Sequence, residues 1–580
     1  MLVEVTQDKI EVSDQKFNEQ VFEDDRYIYC GYGVTRHGQE EVFDALIRKK
    51  SPSLQVEDVD VHDVLSTYFC NGYLVCVVDK QTRNVTVYRD TAGLKSGYYH
   101  IGKREIAVST NVHRLAKRVH AEISRFWADC FIYNYFILDG NTLYEDVFEV
   151  NIGETLRFDG ASGKISRQQR PLPIVYQEND LSDEENIRLL REKTIRTHER
   201  LAGSRNAVYL SGGVDSLAML ASLHEVCPDR LRAVSYKVKG GTQDETVYAQ
   251  KAADSLSCRF DIVERNPQDA RMIADFEQKV LSCNNPYDGL FLFAPEKQEE
   301  GEVFFAGQDT RLHTPAVSEM DLLLMNKILK NNKVGGVKNK ELVRFMIEFC
   351  RKYNKATRPL SAMLNPVAGL NYMFFSISPC KYKKFDFSRR YVRELAEVMK
   401  ITFDGDFSNY RALYNYMVSK RWRKQYTNDI RYMVDMGHIE KTSVLLPFYE
   451  PDLATFSSSM PWVLATRKVQ GFSKYTGKTE SVDKYALRKA FAKEFPESVL
   501  LRAKATSDDY LLLFNGVLKK KIQDILKADM QSPRSFLREY GYADYYQKYI
   551  QGNPHCFEVY RTIKTSLYLA FVSLYFSNLT

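Results

Sequence analysis

The stretch Ala207-Val208-Tyr209-Leu210-Ser211-Gly212-Gly213-Val214-Asp215-Ser216 constrains this chain more than any other. Four residues of a buried strand run into a Ser-Gly-Gly turn, and Asp-Ser then opens a helix predicted over 217–226. Glycine lets the backbone turn tightly and brings N–H groups close to an oxyanion. The helix N-terminus adds unpaired N–H groups and the positive end of its dipole. Ser211 and Ser216 can add hydroxyl donors, and Asp215 can hold a magnesium ion that bridges phosphates. Small residues populate strand-to-helix turns everywhere, so a bare Ser-Gly-Gly would be uninformative. The six-residue string between a strand and a helix is far more specific. It lacks the Gly-Lys-Ser/Thr ending of a Walker loop and is therefore a different phosphate cradle.

The remainder of the chain bounds what that cradle can belong to. At 580 residues it exceeds a single core, and two or more domains are expected. Apolar residues at 44% and charged residues at 27% describe an ordinary globular protein. A net charge of +6 spread over this length, with no dense basic run, argues against a nucleic-acid partner. The Lys-rich stretch 330–340 is broken by Gly and Asn and reads as a solvated loop. Ten Cys residues without CxxC spacing argue against a disulfide framework or a structural zinc. The first residues lack the basic and apolar regions of a signal peptide. The most apolar late segment, 567–576, is only half the ~20 residues a spanning helix needs. A cytoplasmic protein without membrane contact is expected.

Residues 1–170 read as β-rich, with strands predicted at 73–79, 85–88 and 104–110 and a turn at 159–164. Pro171-Leu172-Pro173 and the acidic run 178–185 read as a linker entering a polar helix, giving a 171–204 connection. From 205 onward, apolar runs at 207–210, 233–236, 260–263 and 303–306 alternate with helical stretches, the pattern of a parallel βαβ sheet. Beyond about 318 the chain reads as mostly helical.

The loop 211–216 resembles the pyrophosphate-binding loop of the ATP pyrophosphatases, and collinear motifs narrow the resemblance to the asparagine synthetase superfamily. Asp244-Glu245-Thr246-Val247-Tyr248-Ala249 is similar to that family's Asp-Glu element, and Leu446-Pro447-Phe448-Tyr449-Glu450 to its Pro-Phe-Leu-Asp string. Asp483-Lys484-Tyr485-Ala486-Leu487-Arg488-Lys489-Ala490-Phe491 resembles its Lys…Leu-Arg…Phe helix, followed by Phe495-Pro496 and Arg502-Ala503-Lys504. Asn71-Gly72, Tyr88 to Lys95, Tyr98-Tyr99 and Val108-Ser109-Thr110 resemble the back half of its glutaminase domain. The resemblance implies an α+β glutaminase-like (Ntn-type) sandwich over 1–170. An α/β parallel-sheet ATP pyrophosphatase domain with a helical C-terminal part would follow over 205–580.

In that family ATP adenylates a carboxylate and an amine displaces AMP. The implied nucleotide contacts are Leu210, Ser211, Gly212, Gly213, Val214, Asp215, Ser216 and Gly307, with Mg2+ on Asp215 and Asp309. The implied catalytic residues are Lys484, on the α-phosphate and the tetrahedral intermediate, and Arg488, one helical turn later on the same face. Gln308, the third, stands where some members carry a residue that helps deprotonate the amine. The family's Ser-Gly-x-Gly-x-Asp is replaced here by Ala306-Gly307-Gln308-Asp309, and His313 is the nearest group able to accept a proton. Position 2 holds Leu2 where glutamine users carry Cys, so a scaffold without glutaminase chemistry is expected; cleavage after Tyr29, exposing Cys30-Gly31, is the alternative.

A stretch over 319–400, rich in aromatics such as Tyr372-Met373-Phe374-Phe375, is extra to the family. Together these features resemble the specialised amide formers, β-lactam synthetases and lasso-peptide macrolactam cyclases. They lead to an expected intramolecular amide closure on a peptide, with a leader peptidase or leader-binding protein as possible partner. The alternative is asparagine synthesis from ammonia or glutamine.

Overall fold

The computed structural model describes residues 1–13, 17–35, 58–134, 137, 140–241, 244–284, 286, 301–307, 409–422, 427–472, 480–502, 512, 514–551 and 560–579. Gln308, Asp309, His313, Lys504 and the 319–400 stretch lie outside the described residues.

The N-terminal part holds eleven described strands. These are β1 (Leu2–Val5), β2 (Ile10–Ser13), β3 (Glu19–Glu23), β4 (Tyr27–Thr35), β5 (Phe69–Asp79), β6 (Val85–Arg89), β7 (Tyr98–Gly102), β8 (Glu105–Ser109), β9 (Val147–Glu149), β10 (Glu154–Phe158) and β11 (Ile165–Gln169). They form two antiparallel sheets, β2-β1-β8-β7-β9 and β11-β10-β6-β5-β4-β3. Val3, Val5, Tyr99 and Val108 of the first meet Ile28, Cys30, Leu74, Cys76 and Val87 of the second in one buried cluster, so the sheets pack face to face.

The outer faces are covered too. Tyr73, Val75 and Val77 of β5 pack with Val61 and Leu65 of helix α1 (Asp58–Tyr68). Leu2, Tyr98 and Ala107 join a core with α2 (Val112–Arg118) and α3 (Arg125–Asn134). Burial on both faces is why β5 reads as an almost unbroken apolar run rather than an alternating one.

Cys30 sits inside β4, fully buried and directly opposite Cys76 of β5, and burial pushes its thiol up to about 12. Because β4 is paired on one side by β3 and on the other by β5, a cut after Tyr29 would remove β1, β2 and β3 and split a doubly paired strand.

Residues 171–182 do not hang free. Val175 N–H donates to Ser458 Oγ (2.9 Å), its carbonyl accepts from Asn415 Nδ2 (2.6 Å), and Asn179 N–H donates to the Ser459 carbonyl (2.7 Å). Ser182 then caps α4 (Asp183–Leu201), with Asp183, Glu184 and Glu185 in the first turn, where the helix dipole favours acids.

The second part is built on a parallel sheet. Its strands are β12 (Arg205–Tyr209), β13 (Leu231–Val238), β14 (Arg259–Arg265), β15 (Glu302–Phe305) and β16 (Ser443–Leu445), in the order β14-β13-β12-β15-β16. Helix α5 (Val214–Val226) follows β12, α6 (Thr246–Ser255) follows β13 and α7 (Phe276–Ser282) follows β14. Val208 and Leu210 face one core with Leu217 and Leu220, while Ala207 and Tyr209 face another with Val234 and Phe304. The chain runs outward from β12 to β14, then returns to the other side of β12 with β15. That reversal places a crevice at the carboxyl ends of β12 and β15, the usual ligand position of open parallel sheets.

The region beyond 318 is less purely helical than its sequence suggests. Among the described residues it holds α8 (Tyr410–Arg421), α9 (Thr427–Ile439), α10 (Pro451–Ser459), α11 (Tyr485–Ala490), α12 (Lys519–Gln531) and α13 (Tyr560–Leu579). It also supplies β16, and an antiparallel pair, β17 (Thr466–Lys468) with β18 (Ser481–Asp483). Three-residue strands leave too short a pattern to be read from periodicity. The apolar stretch 567–576 lies in α13, whose Leu567, Leu569, Ala570, Phe571 and Val572 are all fully buried. No described helix is long and apolar enough to cross a membrane.

The two parts are joined by buried polar contacts. Asn71 of β5 uses both ends of its amide on the Leu446 backbone, accepting from its N–H and donating to its carbonyl (2.9 Å), and also donates to Glu450 (3.1 Å). Trp422 Nε1 donates to the Ala92 carbonyl (3.2 Å). Glu149 pairs with both Arg89 (2.6 Å) and Arg431. Burial alone would raise the Glu149 carboxyl, but the two guanidinium groups outweigh it and hold it below the ordinary range.

Candidate functional site

At the end of β12 the backbone reverses through Gly212, at φ +65°. A Cβ there would strain that conformation and approach Tyr248 Cβ at 3.0 Å and Arg502 Nη2 at 3.2 Å, so glycine is required twice over. Gly213 is the N-cap of α5, and no side chain caps it. The loop is tied to itself instead. Ser216 Oγ donates to the Gly213 carbonyl (2.9 Å) and accepts from the Ser211 N–H (3.2 Å), while Ser211 Oγ accepts a long bond from the Gly213 N–H (3.4 Å).

Asp215 projects from the first turn of α5, its side chain one-fifth exposed. Its Oδ2 pairs with Lys484 Nζ, and its Oδ1 is buried without a hydrogen-bond partner among the described residues. A carboxyl oxygen left unpaired in a buried position is costly unless something completes it. Gly307, just past β15, lies against Asp215: an added Cβ would stand 2.9 Å from Met219 Cε and 3.3 Å from Asp215 Cβ. The nearness of Gly307 to Asp215 brings the ends of the two central strands to one point.

Lys484 does not lie within a helix. It stands just before α11 with a left-handed backbone (φ 54°, ψ 38°), which turns its side chain toward Asp215. Arg488 consequently does not share its target. The Arg488 guanidinium donates to the Asp483 carbonyl (2.8 Å), Asp483 Oδ1 (2.9 Å) and the Leu500 carbonyl. Leu210 is buried behind the loop. The structure thus brings together Leu210, Ser211 to Ser216, Gly307 and Lys484, and puts Arg488 behind them.

Sequence reading named Arg502, Glu245 and Tyr248 only as parts of motifs. In the structure, the Arg502 guanidinium donates to the carbonyls of Ser211 (3.1 Å) and Gly212 (3.3 Å), pairs with Glu245 (3.1 Å) and stacks over Tyr248 at 4.3 Å. The sequence signals for this grip were the Arg502-Ala503-Lys504 string and the acidic pair opening α6. Its other member, Asp244, accepts from Lys237 and from the Thr246 hydroxyl, which together hold its carboxyl below the ordinary range.

Residues 192–284 match the family model of asparagine synthase. No curated protein matches the chain. Among solved structures, an allosteric regulatory enzyme of purine biosynthesis is similar at 11% identity and TM-score 0.18, over 44% of this chain and 63% of that one. A glutamine-dependent NAD+ synthetase from Acinetobacter baumannii is similar at 14% identity and TM-score 0.18, over 44% of this chain and 49% of that one. A glutamine phosphoribosylpyrophosphate amidotransferase from B. subtilis is similar at 9% identity and TM-score 0.17, over 43% and 64%. The chain spans less than two thirds of the length of each of these three. The segment 192–284, which carries β12, the loop 211–216, α5 and α6, is thus the part of the chain that is similar to asparagine synthase.

Proposed function

We propose that the chain is an ATP-dependent ligase that adenylates a carboxylate and passes it to an amine, and that amine and carboxylate belong to one peptide. The observation that carries the ligase reading is Asp215, whose unpartnered buried oxygen sits beside Lys484 at the mouth of the loop. A divalent cation fits that oxygen. Asp215 would hold it, with Asp309 as the expected second ligand, and it would supply positive charge against the phosphates as pyrophosphate departs.

The residues then divide the work. The uncapped N-terminus of α5 and the 212–213 backbone face the β- and γ-phosphates. A carboxylate oxygen attacks the α-phosphorus as the bond to the β-phosphate breaks, and pyrophosphate leaves. Lys484 lies within reach of the charge that develops there and at the following tetrahedral carbon. The amine attacks that carbon, loses its proton and expels AMP, leaving an amide.

The finer reading, macrolactam closure of a peptide in the manner of lasso-peptide cyclases, is supported by the sequence: the Gln308–Pro315 loop and the extra 319–400 stretch suit a large substrate better than free aspartate. The N-terminal sandwich fits a scaffold, since the Cys30 thiol is buried and held protonated. The test is AMP and pyrophosphate release from Mg-ATP with products read by mass. AMP together with loss of one water from a precursor peptide is expected. AMP with aspartate and ammonia but no peptide dehydration would replace that reading by asparagine synthesis, and no AMP with any carboxylate would end the ligase reading.

A further inference from the structure

One segment reaches the loop at two points. Lys484, at its start, pairs with Asp215, and Arg502, at its end, donates to the carbonyls of Ser211 and Gly212. Between them Leu487, Phe491, Phe495, Val499 and Leu500 are buried in the core that also holds Leu217 and Leu220 of α5, so the segment cannot slide over the helix. Arg488, only 8% exposed, fastens its two ends to each other through Asp483 and Leu500.

What Arg502 does follows from peptide geometry. In a trans peptide the carbonyl and the N–H of the next residue point in opposite directions across one plane. The Ser211 carbonyl shares its plane with the Gly212 N–H, and the Gly212 carbonyl with the Gly213 N–H. Holding both carbonyls on one guanidinium therefore aims both N–H groups away from Arg502. Glycine at 212 would otherwise leave these planes free to rotate. Glu245 and Tyr248 fix the guanidinium itself, by an ion pair at 3.1 Å and stacking at 4.3 Å.

We propose that residues 483–502 work as a single clip, in which Arg488 and Arg502 are positioning residues that set two loop peptides for an anion. The proposal rests on the phosphate-binding reading above and names what keeps that site in shape. Neither arginine needs to touch the ligand.

The experiment is calorimetric titration of the full chain with magnesium pyrophosphate. Arg502→Lys keeps the charge but cannot span two carbonyls and a carboxylate, and Arg488→Lys cannot join Asp483 to Leu500. Each is expected to weaken binding by about tenfold, the size of one or two lost charge-assisted bonds. The double variant is expected to lose about as much as either single one, because both act through the same clip. Should Arg502→Lys fail to fold, Glu245→Gln leaves the guanidinium in place without its carboxylate and is expected to weaken binding by about threefold. Wild-type affinity in all the arginine and Glu245 variants, or losses that multiply in the double arginine variant, would overturn the clip while leaving the phosphate site standing. A wild-type chain that binds no pyrophosphate would overturn the phosphate reading, and the clip with it.

Discussion

Asn71-Gly72, a bulge inside β5 of the N-terminal sandwich, and Ser211-Gly212-Gly213, the turn after β12, both pass through positive φ, at 54° and 98° for the first pair and 65° at Gly212. Their polar surroundings differ. Around the first, Asp90 accepts from the N–H groups of Tyr73 (2.9 Å), Ala92 (2.6 Å) and Gly93 (3.0 Å), and the Asn71 amide is taken up by Leu446 and Glu450. Around the second, Gly213 carries no side-chain cap and Asp215 Oδ1 has no partner among the described residues. A fully satisfied segment holds a structure together, whereas one with a buried orphan oxygen is poised for something the protein does not itself supply. The contrast fits docking at the first and, under the proposed function, chemistry at the second.

Asp215→Asn is the strongest test of that contrast. It removes a charge at the orphan site and should lower AMP formation by about 10²–10³-fold. The thermal midpoint should barely move, because Asp215 lies at the crevice rather than in a core. Quantifying AMP by chromatography alongside a melting curve checks both; a large drop in the midpoint with activity retained would reverse the roles of the two segments. Lys484→Ala should cost about 10²-fold in the same assay, as is typical for one donor to a developing charge. Activity at the wild-type level would remove Lys484 from the site.

The sequence announced the parallel sheet and its loop because βαβ order, apolar runs and the Ser-Gly-Gly-Val-Asp-Ser string are local signals. It also marked a strand at 73–79. It missed the conformation of Lys484. A helix through Lys484 and Arg488 would stack them on one face, but the left-handed backbone at 484 separates them, and nothing in the side-chain order marks such a residue. The grip of Arg502 on the loop joins residues 290 positions apart in the chain, which no periodicity reports. β16 was missed for the opposite reason: three residues at a sheet edge are too few to show a pattern.

Asn71→Ala tests the bulge. It would leave the buried Leu446 N–H unpaired, while the Leu446 carbonyl keeps the Tyr449 N–H (3.1 Å), and would place Ala at a φ of 54° that Asn tolerates better. At about 1–3 kcal/mol for an unpaired buried group, the expected loss of stability is about 2–4 kcal/mol. Denaturant unfolding reads that loss, and AMP formation per folded molecule should stay near wild type. A variant as stable as the parent but slow in AMP formation would mean that the sandwich reaches into the chemistry.

His113 and His198, one from each region, are both buried and are bonded differently. His113 of α2 has both ring nitrogens engaged, with the Tyr144 hydroxyl (2.6 Å) and the Cys283 carbonyl (3.0 Å), and burial pulls it down to about 3. His198 of α4 bonds only through Nδ1, to the Thr194 carbonyl (2.8 Å), with Nε2 unpartnered beside Phe305, and burial pulls it down to about 4. Both are neutral when folded, so as pH falls below about 6.5 the unfolded chain binds protons that the folded chain does not, and stability is lost. For His198 the loss runs from about pH 6.5 toward 4 and reaches at most about 3 kcal/mol. His198→Leu removes that titration and strands no partner, because the Thr194 carbonyl keeps its helical bond. Its thermal midpoint should therefore fall less between pH 7 and pH 4.5 than that of the wild type, at the smallest cost of any change considered. An unaltered acid slope would put the proton uptake elsewhere, with His113 at the junction of the two parts as the next residue to replace.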